Sequence, residues 1–256
     1  MLWIEHPSEP KELILSWQAL PSVKDRLRWA VGRLIKVGDG AVFDYLQGDE
    51  FAALNLGRSP DDLKAAGFSG YPAFDPNPKS KPKRRSSGNP EERALEAFLR
   101  RLPPPSRPDF SAYLAHYLVR EPEKLSRLML LAITEARLPS DGFSLVDPLD
   151  PVACRVDLVF EIAGAKYHGD IDIKLKAGDP LVLEAEPTNP TDPNAVMVKA
   201  AGRLIGYVNR LQAKTIGEWL KTCAIECWVA RINGSVDAPT PFAFLRVRPL
   251  ERAIAA

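Results

Sequence analysis

The stretch EPTNPTDPNAVMV, Glu186 to Val198, constrains this chain more than any other. Pro187, Pro190 and Pro193 each hold φ near about −65° and lack a backbone N–H. They also bias Glu186, Asn189 and Asp192 away from helix. Asn189 and Asp192 carry short side chains that bond to local backbone and shape turns. The strand-like run PLVLEAE stands before the stretch and the alternation NAVMVKA overlaps its end. A helix through this region is excluded. The expected form is a stiff connector with polar tips between two strands. An ordinary turn is the plain reading; one wall of a pocket is the functional one.

The rest of the C-terminal part continues the pattern. RVDLVFEIAG, DIDIKLK, GRLIGYV, AIECWVARING and FAFLRVRP read as strands, each bounded by Gly, Pro, Asp or Asn. NRLQAKTIGEWLKT reads as one helix. Many short strands with one or two helices suggest a small closed β-barrel of the OB type over residues 151–250, because closure removes exposed edges.

The N-terminal residues 1–75 are also β-rich, with ELILSW, RWAVGRLI and AVFDYL as strands and KVGDG as a hairpin turn. SPDDLKAAG reads as a short helix with Ser59 as N-cap, Pro60 at its first position and Gly67 as its stop. Residues 76–90 are a Pro-rich basic linker or loop carrying Lys79, Lys81, Lys83, Arg84 and Arg85. Such a tract packs no core; it is a solvated loop or a phosphate contact. Residues 91–150 hold helical stretches, with Leu95, Phe98, Leu99 and Leu102 on one face of the first. A separate helical subdomain is expected there, and the fold class is α+β.

Charge narrows the function. The formal net charge over 256 residues is +1, so composition alone does not point to a nucleic-acid partner, and any such function must rest on a local patch. Three cysteines, Cys154, Cys223 and Cys227, do not suggest a disulfide framework and fit a cytoplasmic protein. Cys223 and Cys227 lack a second pair or a nearby His, so buried thiols are expected rather than zinc. No apolar run reaches the roughly 18 residues of a membrane span, and the N-terminus has no signal-peptide pattern.

Chemistry has few candidates. No Walker loop, G-x-S-x-G elbow or H-E-x-x-H pair occurs. His168, Asp170 and Asp172 alternate and Lys174 follows, a pattern that fits a metal-dependent nuclease strand or simply the wet face of an amphipathic one. The expectation is a protein that is not an enzyme, with no cofactor and no metal.

The motifs IAGAKYHGD, LKAGDPLVLEAEPTNPTDPNAVMV and GRLIGYVNRLQAKTI together resemble the HIRAN domain over about residues 155–249. That family occurs as an accessory module of fork-remodelling helicases and as standalone bacterial proteins. In the helicases it is an OB-like module that captures the 3′ end of single-stranded DNA. The resemblance therefore implies a nucleic-acid-binding module acting in DNA repair, at replication forks or in defence. By position it implies that Tyr167 stacks on a base with Lys166 and His168 beside it. It implies that Asp192, with Asn189 in the same turn, meets the terminal hydroxyl. Arg210 suits a phosphate, Tyr207 replaces a polar aromatic, and Phe242 or Phe244 supplies a late aromatic wall. Two helicase aromatics are absent here: Thr191 and His168 stand in their places. Losing each stack costs about 1–3 kcal/mol.

LILSWQ, WAVGRLIKVGDGAVFDYL and GFSGYPAF resemble the N-terminal β-subdomain of HipA-type proteins. No kinase core follows them. That resemblance implies a protein partner through the N-terminal part, which leaves a toxin–antitoxin-type adaptor without DNA binding as a second reading.

Overall fold

The computed structural model describes residues 2–19, 27–74, 90–138, 140–168, 175–235 and 238–250. The chain forms two compact units, one of residues 9–110 and 126–147, the other of residues 1–8, 111–125 and 148–256. One break, between residues 147 and 148, lies close to the expected boundary at 150, whereas no break falls at 75 or 90. A four-residue strand explains part of the difference.

In the first unit, β1 (Glu12–Gln18), β2 (Arg28–Val37) and β3 (Gly40–Tyr45) form an antiparallel meander. Two short helices follow, α1 (Gly48–Leu54) and α2 (Pro60–Ala65). The α2 cap is as expected: Ser59 and Asp62 form a reciprocal capping box, Pro60 opens the helix and Gly67 follows at φ +98°. Next comes α3 (Pro90–Leu99), which packs on β3 through Leu95 and Phe98. The ring of Phe98 meets Phe43, Tyr71 and Phe74.

The later helices are α4 (Phe110–His116) and α5 (Arg127–Thr134). After α5 comes β4 (Phe143–Val146), which pairs with β1 from Ile14–Val146 to Trp17–Phe143. Ser16 and Ser144 meet across that pairing at 2.7 Å, so both buried hydroxyls are bonded. The sheet order is β3-β2-β1-β4. Thus α3 packs on the N-terminal sheet, α5 packs on α3 and β4, and β4 pairs within the sheet, while nearly all of α4 falls in the other unit; the described residues of 91–150 form no unit of their own.

The second unit carries β5 (Val156–Glu161), β6 (Pro180–Ala185), β7 (Val196–Ala200) and β8 (Arg203–Tyr207). Then come α6 (Arg210–Thr222), β9 (Cys223–Ser235) and β10 (Ala238–Pro249). The antiparallel sheet runs β5-β10-β9-β6-β7-β8. Alternate residues of its strands point inward, including Val196, Val198, Val229, Ala243 and Leu245. α6 lays Ile216 and Trp219 into the same core, and Asn209 caps it by accepting from Leu211 N–H. Cys223 and Cys227 are buried free thiols, and burial pushes Cys227 up to about 12.

A fully paired barrel is not seen among the described residues. The two edge strands meet through one bridge instead: Ala163, two residues beyond β5, exchanges hydrogen bonds with Tyr207 at 2.8 and 2.9 Å. Pairing of β6 with β9 extends over Pro180–Trp228 and Leu181–Cys227 alone. Most of the expected strand DIDIKLK lies outside the described residues. No helix among the described residues is long and apolar enough to cross a membrane.

One buried charge anchors this unit. Asp157 is 2% exposed. Its Oδ2 accepts from the N–H groups of Glu5 and His6, at 3.0 and 3.1 Å. Its Oδ1 accepts from Arg246 Nε and Arg248 Nη2, at 3.2 and 2.8 Å. Glu5, His6 and Asp157 stand close enough together to hold a cation. The two guanidiniums already neutralise the buried carboxylate, so its bonds are spent on the fold. Burial pushes the Asp157 carboxyl up, but the Glu5 N–H and the two arginines outweigh it, and the net direction is down.

Asp157→Ala is expected to cost about 3–5 kcal/mol in urea unfolding, since it strands two arginines. The folded carboxyl titrates below the ordinary value of 3.8, so its contribution is complete above that pH and is lost as pH falls through the lower folded value. Acid unfolding of Asp157→Asn should therefore lack part of the wild-type pH dependence.

Candidate nucleic-acid interface

The turn between β6 and β7 is built by its own side chains. Glu186 N–H donates to Ala195 O at 2.8 Å and Asn189 N–H to Glu186 O at 2.9 Å. Asn189 Oδ1 accepts from the N–H groups of Thr191 and Asp192, at 2.9 and 3.1 Å. Asn189 Nδ2 donates to Glu186 Oε2 at 2.6 Å. Asp192 Oδ1 accepts from Asn194 N–H at 2.9 Å. Both Asx residues are thus turn-formers. Among the described residues, no hydrogen bond reaches Oδ2 of Asp192, and this side chain is half-buried.

Tyr207 ties the turn to the sheet. Its backbone makes the bridge with Ala163, and it pairs with Met197 of β7, the strand that leaves the turn. Burial first, then the nearby Glu186 carboxylate, raise the Tyr207 phenol above its ordinary value. The bridge requires a glycine beside it. A Cβ on Gly206 would stand 2.5 Å from Ala163 O and 2.6 Å from Ile162 Cγ2. The second glycine of GRLIGYV is therefore explained by close backbone approach.

Beyond Ala163 the chain turns at Gly164, φ +75°, into a short 3₁₀ turn, Ala165–Tyr167. That turn packs against β8 and β10. Tyr167 is 69% exposed, an unusual state for so large a ring. Lys166 Nζ lies 4.7 Å from the Tyr167 ring centroid, over one face. The His168 ring lies 6.1 Å from that of Tyr207.

The structure therefore brings six of the expected residues into two groups. Lys166 touches Tyr167 and His168 touches Tyr207, while Glu186 holds Asn189, which orders Asp192; pairing of β8 with β7 joins the two. Arg210 opens α6, three positions after Tyr207, and is half-buried. The late aromatics differ. Phe244 is 0% exposed and its ring lies 6.1 Å from that of Trp228, so it has no face to offer a base. Phe242 is half-buried under Arg231, whose Cζ lies 4.0 Å from its ring centroid and 5.3 Å from that of Tyr117. Asp170, Asp172 and Lys174, the nuclease alternative, lie outside the described residues, as do Lys79, Lys81, Lys83, Arg84 and Arg85.

Glu186 was not among the expected site residues. Its signal in the sequence is its spacing, one residue before the first proline and three before Asn189, which puts its side chain within reach of the Asn amide across a turn.

Residues 156–240 match the HIRAN domain family. Two solved structures are similar to this chain. The crystal structure of the HIRAN domain of human HLTF shares 20% identity at a TM-score of 0.32, covering 37% of this chain and 78% of that one. The crystal structure of a protein from Lactobacillus plantarum shares 18% identity at a TM-score of 0.28, covering 35% and 98%. No curated protein matches the chain. The HIRAN match lies within the second unit and does not extend to residues 1–75, where a HipA-like subdomain is the expectation.

Gly206→Ala tests how this HIRAN segment is closed. The added methyl must displace the Ala163 backbone, and overpacking of this kind costs about 1–3 kcal/mol. Hydrogen exchange should show lost protection at the Ala163 and Tyr207 amides, with the β1–β2 amides unaffected.

Proposed function

We propose that the HIRAN segment binds single-stranded DNA by its 3′ end, as a nucleic-acid-binding module without catalytic activity. The observation that carries this reading is Oδ2 of Asp192, which no hydrogen bond reaches among the described residues, together with the exposed ring of Tyr167. A carboxylate oxygen is a strong acceptor for a terminal hydroxyl. Lys166 covers one face of Tyr167, which leaves the other for a base, and aromatic stacking tolerates any base. Lys166 and Arg210 supply cations for phosphates.

The near-neutral charge of the chain fits recognition of an end rather than of a long duplex. Few phosphates are neutralised, and affinity comes from stacking and the hydroxyl. A role in DNA repair or at replication forks is the context that suits capture of a free 3′ end.

Fluorescence anisotropy with matched oligonucleotides tests this. A strand ending in a 3′ hydroxyl should bind more tightly than one ending in a 2′,3′-dideoxynucleotide, and equal affinity contradicts end capture. Tyr167→Ala should weaken both by the loss of one stack, about 1–3 kcal/mol, or roughly 5–150-fold. The slope of log affinity against log salt should be shallow, about −1.4 for two phosphate contacts at about −0.7 each.

A further inference from the structure

Glu186 stands at the head of the turn that carries Asp192, and its carboxylate reaches back into that turn. It takes the Asn189 amide at 2.6 Å, while its own N–H and C=O bond Ala195 and Asn189. Asn189, held from one side by Glu186, spends its other end on the N–H groups of Thr191 and Asp192. The turn has three prolines to stiffen its backbone, but a proline ring offers no hydrogen bond to fix the Asn189 side chain. Glu186 supplies that bond.

We infer that Glu186 is a positioning residue of this pocket, aiming the Asp192 carboxylate at the bound end by clamping Asn189, which in turn orders Asp192. This rests on the proposed function for the identity of the ligand. The clamp itself rests on the hydrogen bonds alone. Its carboxylate suits the task because it offers several acceptor sites and no donor, so it takes the Asn189 amide and leaves the Asn189 oxygen for the turn. Charge-assisted bonds of this kind are shorter and stronger than neutral ones, as the 2.6 Å separation shows. The consequence is specific: Glu186 governs discrimination of the terminal hydroxyl, not stacking or phosphate contact.

The full chain is compared with Glu186→Ala and Glu186→Gln, using the same hydroxyl-terminated and dideoxy-terminated oligonucleotides. Glu186→Ala is expected to reduce the hydroxyl preference by about tenfold or more, the scale of a charged hydrogen bond, while dideoxy binding stays within about twofold. Glu186→Gln, which keeps an oxygen for the Asn189 amide, should recover most of the preference. Amide exchange at Thr191 and Asp192, measured without DNA, should speed up in Glu186→Ala and be restored in Glu186→Gln. A hydroxyl preference that survives Glu186→Ala overturns the inference. If the wild-type protein shows no hydroxyl preference, the proposed function fails, and the amides judge the clamp alone: unchanged exchange in Glu186→Ala overturns it too.

Discussion

Two hydrogen bonds between Ala163 and Tyr207 bring together the parts on which everything else in the second unit depends. They join the two outer strands of a six-stranded sheet at a single point. On one side of the bridge the chain rises into the 3₁₀ turn that exposes Tyr167. On the other, β8 pairs with β7, the strand that leaves the turn of Asn189 and Asp192. The approach is close enough that a Cβ at position 206 would stand 2.5 Å from Ala163 O. A site made from segments some twenty to forty positions apart thus depends on one small backbone contact.

Rigidity is distributed to match. The Asx turn is held by prolines and by four side-chain hydrogen bonds of its own. The far end of the sheet is held by Asp157, whose carboxylate is shared between two backbone N–H groups and two arginines. Between these anchors the apolar residues of β7, β9, β10 and α6 form one continuous core. Pre-organisation of this kind lowers the entropy cost of ordering groups when a ligand arrives.

Local chemistry made much of this legible in the sequence. The strands flanking the proline-rich turn, the helix α6 and the Ser59–Pro60 start of α2 all follow from propensity and capping within a few residues. What sequence reading missed was set by distant partners. FSLV is too short to announce β4, which exists because β1 offers it an edge. Phe242 and Phe244 stand two apart, so periodicity puts them on one face of β10 and cannot say what covers it. Trp228 and Arg246 cover Phe244, and Arg231 with Tyr117 covers Phe242. Glu186 reads as the first residue of a turn; its bond to the Asn189 side chain is visible only once the turn is folded.

The account stands on Tyr167, Asp192 and Tyr207 facing a single ligand. Amide NMR during titration with a short single strand bearing a 3′ hydroxyl addresses that directly. Perturbations concentrated at residues 163–168, 189–195 and 207–210, moving together with one affinity, are what the account predicts. Perturbations centred on Asp157, Arg246 and Arg248, or split between regions with different affinities, would contradict it.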